Sequence, residues 1–177
     1  ITGSITPKAL SATASAQNKT YDGTTTASGT TLSISGFVGS ETVTTAMVGS
    51  TFNDADVMGA TTVTVNSLTF AAGSGGYVAS NYSLSAGQTA AAAITAKALT
   101  GTATAFGKTY DGTTTASGTT LSLSGFVGSE ETTTATVVGS TFNDADVLDA
   151  TTVTVNSLTL AAGSGGYVAS NYSLSAG

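Results

Sequence analysis

The chain is written twice. ITPKALSATASAQNKTYDG (Ile5 to Gly23) returns as ITAKALTGTATAFGKTYDG (Ile94 to Gly112), and KTYDGTTTASGTTLS is identical from Lys19 to Ser33 and from Lys108 to Ser122. TFNDADVMGATTVTVNSLTFAAGSGGYVASNYSLSAG (Thr51 to Gly87) returns as TFNDADVLDATTVTVNSLTLAAGSGGYVASNYSLSAG (Thr141 to Gly177). Equivalent positions run unbroken from Ile5/Ile94 to Glu41/Glu130. Copy two then gains one residue, where ETVTTAMVGS became EETTTATVVGS, so the insertion is placed at Glu130-Glu131. Solenoid repeats recur every ~20–50 residues, and this period is nearly twice the upper bound. Each copy is instead long enough for a small domain with its own core. Two domains are expected, residues 1–93 and 94–177.

The residue types say what such a domain is made of. Thr is abundant in the repeated segments and Val recurs in them, and branching at Cβ suits a pleated strand better than a helix. Hydrophobic residues make up 40% of the chain but aromatics only 7%, with no Trp, so Ala and Val supply much of the apolar content. Copy one reads as short strands between turn signals: Ile5 to Ala16, Thr30 to Val38, Thr42 to Phe52, Thr61 to Ala72 and Tyr77 to Ala86. Leu32, Ile34 and Val38 are expected on one face, as are Tyr82, Leu84 and Ala86. In the fourth strand Val63 and Val65 share one phase and Leu68 and Phe70 the other, which predicts a bulge or bend at Asn66-Ser67. NDADVMGA reads as a loop.

Gln88 to Ala105 joins the copies. Its alanines allow a short helix, but Ile94 to Ala105 repeats the first strand of copy one, and strand is expected. No Gly/Ser/Pro-rich spacer intervenes, so the two domains are expected end to end and semi-rigid. A ten-residue strand is about 33 Å long, so the pair would span on the order of 70–90 Å. The expected fold is all-β, two tandem Ig-like β-sandwich domains; a β-grasp-like or elongated two-sheet unit is the alternative.

Charge and composition then exclude function classes. Only 8% of residues are charged, the net charge is −6, and there is no His or Cys. The four cations are the scattered lysines Lys8, Lys19, Lys97 and Lys108. A nucleic-acid binder needs a basic face to neutralise phosphates, so no nucleic-acid partner is expected. Anionic membrane surfaces are disfavoured likewise, and no apolar run approaches the ~20 residues of a span. Without His, Cys or Arg, neither a Ser-His-Asp triad nor a His- or Cys-ligated zinc site can form. Paired carboxylates could serve glycoside hydrolysis, but the copies are small for a cleft and lack a Trp platform. No enzyme activity, catalytic residue, cofactor or metal is expected. A monomer is expected. Both chain ends fall inside the repeated pattern, so a longer parent is expected.

KTYDGTTTA near the start of each copy, NYSL (Asn81 to Leu84, Asn171 to Leu174) near the end and ITPKAL/ITAKAL at the joint recur in the same order. In these the chain resembles the YDG domain repeats, close to the mostly bacterial Ig-like repeats, of large surface adhesins related to filamentous haemagglutinin. The loop FNDADVMGA departs from that pattern, and copy two has Asp149 in place of Gly59. The resemblance implies a secreted, cell-surface stalk that holds an adhesive tip away from a bacterium. Its implied partners are neighbouring repeats and, through the parent adhesin, host or bacterial surface glycans or proteins.

Several residues could still form sites. Tyr21 and Tyr110 in the Tyr-Asp-Gly turns could contact a ligand. The structural reading is favoured: Gly supplies positive φ, Asp bonds its own backbone, and Tyr covers the core edge, with Lys19 and Lys108 beside Asp22 and Asp111. Asp54 and Asp56, with Asp144 and Asp146, could offer oxygens to calcium, but no EF-hand pattern accompanies them, and a solvated loop is expected. Lys8, Lys19, Asn81, Asp22 and Glu41 supply the residue types of a Lys–Asn or Lys–Asp isopeptide crosslink. Asn18, Asn81 and Asn171 match the glycosylation pattern, though turn-shaping is expected of them. The Thr arrays resemble water-ordering surfaces, yet any exposed strand face poor in charge looks the same.

Overall fold

The computed structural model describes residues 1–43, 46–70, 72–132, 135–160 and 163–174. Its contacts divide the chain into unit 1, Ile1–Thr95, and unit 2, Ala96–Gly177. Unit 1 contains β1 (Lys8–Ala9), β2 (Ser11–Ser15), β3 (Lys19–Thr20), β4 (Thr31–Ser35), β5 (Thr42–Val43), β6 (Ala46–Phe52), β7 (Thr62–Phe70), β8 (Gly73–Ser74), β9 (Tyr82–Ser83), β10 (Thr89–Ala91) and β11 (Ile94–Thr95). Unit 2 contains β12 (Lys97–Ala98), β13 (Thr100–Thr104), β14 (Thr120–Ser124), β15 (Glu131–Thr132), β16 (Ala135–Phe142), β17 (Val153–Leu160), β18 (Gly163–Ser164) and β19 (Tyr172–Ser173). Among the described residues the only helical elements are 3-10 turns at Ala79–Asn81 and Ala169–Asn171. The fold is all-β, as the Thr- and Val-rich sequence requires. A β-grasp needs a helix on its sheet, and the described residues have none.

In unit 1, β10, β7 and β6 form one antiparallel sheet. The β2–β4 pair packs against it, β2 touching β10 and β4 touching β6. Ala12 faces Ile34 and Ala14 faces Leu32 across that pair, and alternate residues are half-buried in both strands. This is the alternation of a sheet with one face to the core. Val38 departs from the expected phase: the chain turns at Gly36, Phe37 points inward and Val38 is exposed. Leu10, Phe52, Val63, Val65, Tyr82 and Ile94 are among the buried side chains.

The change of phase in β7 is a bulge at the expected place. Gly49 pairs with Ser67 and Ser50 with Val65, leaving Asn66 as the extra residue. Its amide donates to Thr51 Oγ1 at 2.8 Å. Asn156 does the same in unit 2, at 3.1 Å from Thr141 Oγ1. The bulge lets Val63 and Val65 stay buried while the later part of the strand turns its other face inward.

The insertion in copy two lies elsewhere than expected. Ala46, Met47 and Val48 pair with Phe70, Thr69 and Leu68, and Ala135, Thr136 and Val137 pair with Leu160, Thr159 and Leu158. The equivalence therefore holds through Val48/Val137, and the gained residue is Val138, a second bulge before Gly139. Val138 turns outward and is exposed. A strand tolerates an added residue where it points to solvent, because the inward phase on either side is kept.

Two further expectations are corrected. Tyr77 to Ala86 is not one strand: Ala79–Asn81 forms a 3-10 turn and only Tyr82–Ser83 pairs. Gln88 to Ala105 is extended, not helical, but it is not one strand of copy two either. Ile94–Thr95 runs parallel to Lys19–Thr20 in unit 1, while Lys97–Ala98 runs parallel to Tyr172–Ser173 in unit 2. Thr100–Thr104 then pairs antiparallel with β14. The contacts divide after Thr95, two residues beyond the boundary read from the repeat.

Candidate functional site

The Tyr-Asp-Gly turn is built from local bonds. Asp22 Oδ1 accepts the Thr24 N–H at 2.9 Å, the Thr24 hydroxyl at 2.9 Å and the Lys19 ammonium at 2.7 Å. Lys19 Nζ also donates to the Thr24 carbonyl at 2.7 Å and stands 5.7 Å above the Phe52 ring. Gly23 takes φ 76°, which a side chain would resist. Lys108, Asp111, Thr113 and Gly112 repeat the arrangement, with the ion pair again at 2.7 Å. Tyr21 is buried at 5% exposure, whereas Tyr110 is 61% exposed.

The turn holds its carboxylates ionised. At Asp111 the Lys108 hydrogen bond, then those of Thr113, lower the pKa to about 2. At Asp22 burial pulls upward, but Lys19 and Thr24 together outweigh it and the pKa lies below the usual carboxylate value. A carboxyl held low in the fold stabilises at neutral pH, and that contribution is lost as pH falls through the folded value. Unit 2 is expected to lose melting temperature between about pH 4 and about pH 2 on this account. Asp111→Asn should melt lower at pH 7 and show a flatter acid limb in a thermal series; an unchanged limb would assign the loss to other groups.

A second repeated cluster joins the strand ends. Tyr77 and Tyr82 stack with centroids 5.7 Å apart, and Phe37 meets Tyr82 edge-on at 5.3 Å. The Tyr82 hydroxyl accepts the Val38 N–H at 3.0 Å and donates to Glu41. Tyr167, Tyr172 and Phe126 repeat the stack. There Tyr172 accepts the Val127 N–H at 2.9 Å and donates to Glu130 Oε2 at 2.7 Å. Burial first, then the bond to Glu130, pushes the Tyr172 pKa up to about 12; at Tyr82 the bond to Glu41 leads and burial follows, in the same direction. A phenol held protonated stabilises below its ordinary value, and the contribution is lost as pH rises through the folded one. Unit 2 should therefore weaken from about pH 10 to about pH 12. Tyr172→Phe should cost about 1–3 kcal/mol at neutral pH, since Val127 loses its acceptor, and should flatten the alkaline limb of the melting profile.

The remaining candidates have structural partners. Asn53 Oδ1 accepts the Thr61 and Thr62 N–H groups, each at 2.9 Å, and its amide donates to the Gly59 carbonyl at 2.9 Å. Asn143 repeats this through Asp149, so the loop keeps its path despite Asp149 in place of Gly59. Asp54 Oδ1 accepts the Asp56 N–H, and Asp144 Oδ1 the Asp146 N–H, both at 2.9 Å, which shapes the turn. Among the described residues no three His, Cys, Asp or Glu side chains gather in a metal-holding group. Lys19 is engaged by Asp22 and Thr24, Glu41 by Tyr82, and Lys8 and Asn81 are exposed, so the crosslink types are not brought together in the core. Asn171 is fully buried, which closes it to a glycan.

Asn18 leads to what the sequence reading missed. Its Oδ1 accepts the Ala93 N–H at 2.8 Å. Lys19 N–H donates to the Ala93 carbonyl at 3.2 Å and Tyr21 N–H to the Thr95 carbonyl at 2.8 Å. Ile94 thereby enters the core of unit 1 at 2% exposure, and β10 adds to the free edge of β7. In unit 1 the opening turn is thus also the receptor for an Ile-Thr segment. The signal was the placing of ITPKAL and ITAKAL ahead of both copies. The Tyr–Glu latch had a signal too, since Glu41/Glu130 and Tyr82/Tyr172 are both repeated.

Fold and site together define a tandem-repeat, all-β protein whose recurring motifs close each unit upon itself. Residues 6–91 and again 95–177 match the YDG domain family, and the chain belongs to that family as two consecutive members. No curated protein and no solved structure matches it.

Proposed function

We propose that the chain is a pair of structural spacer repeats from a secreted bacterial surface adhesin, without enzyme activity, projecting an adhesive tip from the cell. The observation that carries this reading is parallel pairing between strands near the start and near the end of each unit, β3 with β11 as well as β1 with β9 in unit 1, and β12 with β19 in unit 2. β1 runs parallel to β9, with Leu10 N–H extending the ladder to the Ser83 carbonyl at 2.8 Å. β12 runs parallel to β19, and Leu99 N–H reaches the Ser173 carbonyl at 2.8 Å. Pulling the two ends of a unit apart draws such strands in opposite directions along a common axis. The bonds are then loaded together in shear, not opened one after another.

Two measurements test the reading. Small-angle scattering should give a maximum dimension on the order of 70–90 Å, as two units in line require; a compact shape sinks the spacer reading. In single-molecule pulling, Leu10→Pro removes the N–H that bonds the Ser83 carbonyl and should lower the unfolding force of unit 1 alone. The alternative is a weak glycan or protein site on each repeat, acting by avidity. It has less support, because its candidate contacts are not equivalent: Tyr21 is buried and Tyr110 exposed. Binding of the purified chain to glycans or matrix proteins would favour it.

A further inference from the structure

Two near-identical repeats make their few differences informative, and two of these meet at one place in unit 2. Phe106 stands where unit 1 has Gln17, and Val138 is the residue that copy two has gained. A groove of about 440 Å³ runs between residues 115–119 and β16, with Val138 on one side of it and Asn156 of β17 beside them. The Phe106 ring stands over Gly118 on the opposite side: its Cδ2 lies 3.7 Å from where a side chain of Gly118 would begin. Position 17 is exposed in unit 1 as well, so the exposure of Phe106 belongs to the position.

The inserted residue changes the strand beside the groove. A carbon added at Gly49 would overlap Ser67 Oγ, whereas at Gly139 the nearest atom, Ser157 Oγ, lies 3.6 Å away. The second bulge thus loosens β16 against β17 at this point. The facing wall is held firmly: Ser140 Oγ donates to the Ala116 carbonyl at 2.7 Å and to the Thr119 hydroxyl at 2.9 Å. Asn156 donates its amide to Thr141 Oγ1 at 3.1 Å, which leaves the carboxamide oxygen as an acceptor. Thr115 and Ser117 are exposed. Among the described residues that line the groove none is charged.

We propose that this groove binds a neutral hexose unit of a glycan, one face of the sugar against Phe106 and its hydroxyls on Ser117, Thr119, Thr141 and Asn156. A pyranose ring has an apolar C–H face, which suits the electron-rich face of an aromatic ring. Its hydroxyls donate and accept, as do the hydroxyl and carboxamide groups of the groove. A sugar carrying a carboxylate or sulfate finds no cation in this lining, and the net charge of −6 repels it further. The volume is that of a ligand site, and the few contacts set an affinity in the millimolar range. This adds a binding activity to the spacer reading. It differs from a weak site on every repeat, because unit 1 has neither the aromatic ring nor the inserted residue.

Titration of the whole isotope-labelled chain with cellotriose, maltotriose and lactose, read by amide chemical shifts, tests the site. At least one of the three should move the Ser117, Gly118, Val138 and Asn156 amides saturably and leave Ser28, Gly29, Val48 and Asn66 of unit 1 in place. Phe106→Gln should weaken that binding about fivefold, the worth of one aromatic face. Deletion of Val138 should abolish the shifts. Both variants only restore what unit 1 already carries, so the fold accommodates them. Conversely, Gln17→Phe with a valine inserted after Val48 should give unit 1 a set of shifts of its own. No saturable shift with any of the three sugars, equal shifts in both units, a Phe106→Gln variant that binds like wild type, or tighter binding of sialyllactose than of every neutral sugar overturns the proposal. These readouts concern binding and stand apart from the spacer reading, which rests on extension and force.

Discussion

Ile94→Ala should destabilise unit 1 by about 2–5 kcal/mol and leave unit 2 nearly unchanged. The magnitude follows from removing a fully buried isoleucine whose surroundings collapse only in part. The location is the sharper claim. Ile94 is joined to the core of unit 1 through the pairing of β11 with β3, while Leu99, five residues on, is buried in unit 2 beside β19. Leu99→Ala should therefore weaken unit 2 by a similar amount and spare unit 1. Amide exchange separates the two. Tyr21 N–H, bonded to the Thr95 carbonyl, should lose protection in the first variant, and the Val127 N–H, bonded to Tyr172, in the second. If Ile94→Ala instead exposes Val127 and leaves Tyr21 protected, the division of the chain after Thr95 is wrong.

Gly73→Ala should cost unit 1 about 3 kcal/mol, at the upper end of ordinary overpacking. Gly73 lies in β8 where it pairs with Val43 of β5. A methyl group there would overlap the Thr42 carbonyl oxygen and the ring of Tyr77 at once. One obstacle is backbone and the other is held by its stack on Tyr82, so neither can yield cheaply. Gly163 faces the Glu131 carbonyl and Tyr167 in the same way, and Gly163→Ala should weaken unit 2 alike. Gly107→Ala is the control, since nothing lies within 4 Å of the added carbon. Chemical denaturation gives the free energies, and the near-ultraviolet signal of the tyrosine stack should fall in the first two variants only. A Gly73→Ala protein as stable as the control would mean that β5 and β8 do not approach as closely as described.

What was legible in the sequence was whatever a single strand settles for itself. The bulge at Asn66 followed from the switch of apolar phase between Val65 and Leu68. The Tyr-Asp-Gly turn followed from residue types whose preferences are local: a glycine for positive φ, an aspartate for its own backbone, a lysine three residues before it. The loop at Asn53 to Asp56 was likewise recognisable as a turn. Illegible were features decided by a partner. The inserted residue could be placed at Glu130 or Val138 because the intervening threonines align either way, and only the pairing with β17 distinguishes them. Tyr77 to Ala86 has strand-like residues, but the edge-on contact with Phe37 and the bond to Glu41 position Tyr82, and a 3-10 turn delivers it. Ile94 was assigned to copy two by its likeness to Ile5, a sound reading of descent that gives no view of which core the side chain enters.

The lodging of Ile94 in unit 1 also sets an order of events in time. Unit 1 cannot close its core with residues 1–87 alone; β10 and β11 come from the stretch after Gly87, and Ala96 alone separates β11 from β12. On a chain that emerges from its N-terminus, the groove beside Lys19 stays open until the first residues of the next repeat have arrived. The last step of folding one repeat is then the first step of committing the next. That timing favours the correct neighbour over the near-identical distant one, because the adjoining Ile-Thr segment is tethered at high effective concentration when the groove becomes available.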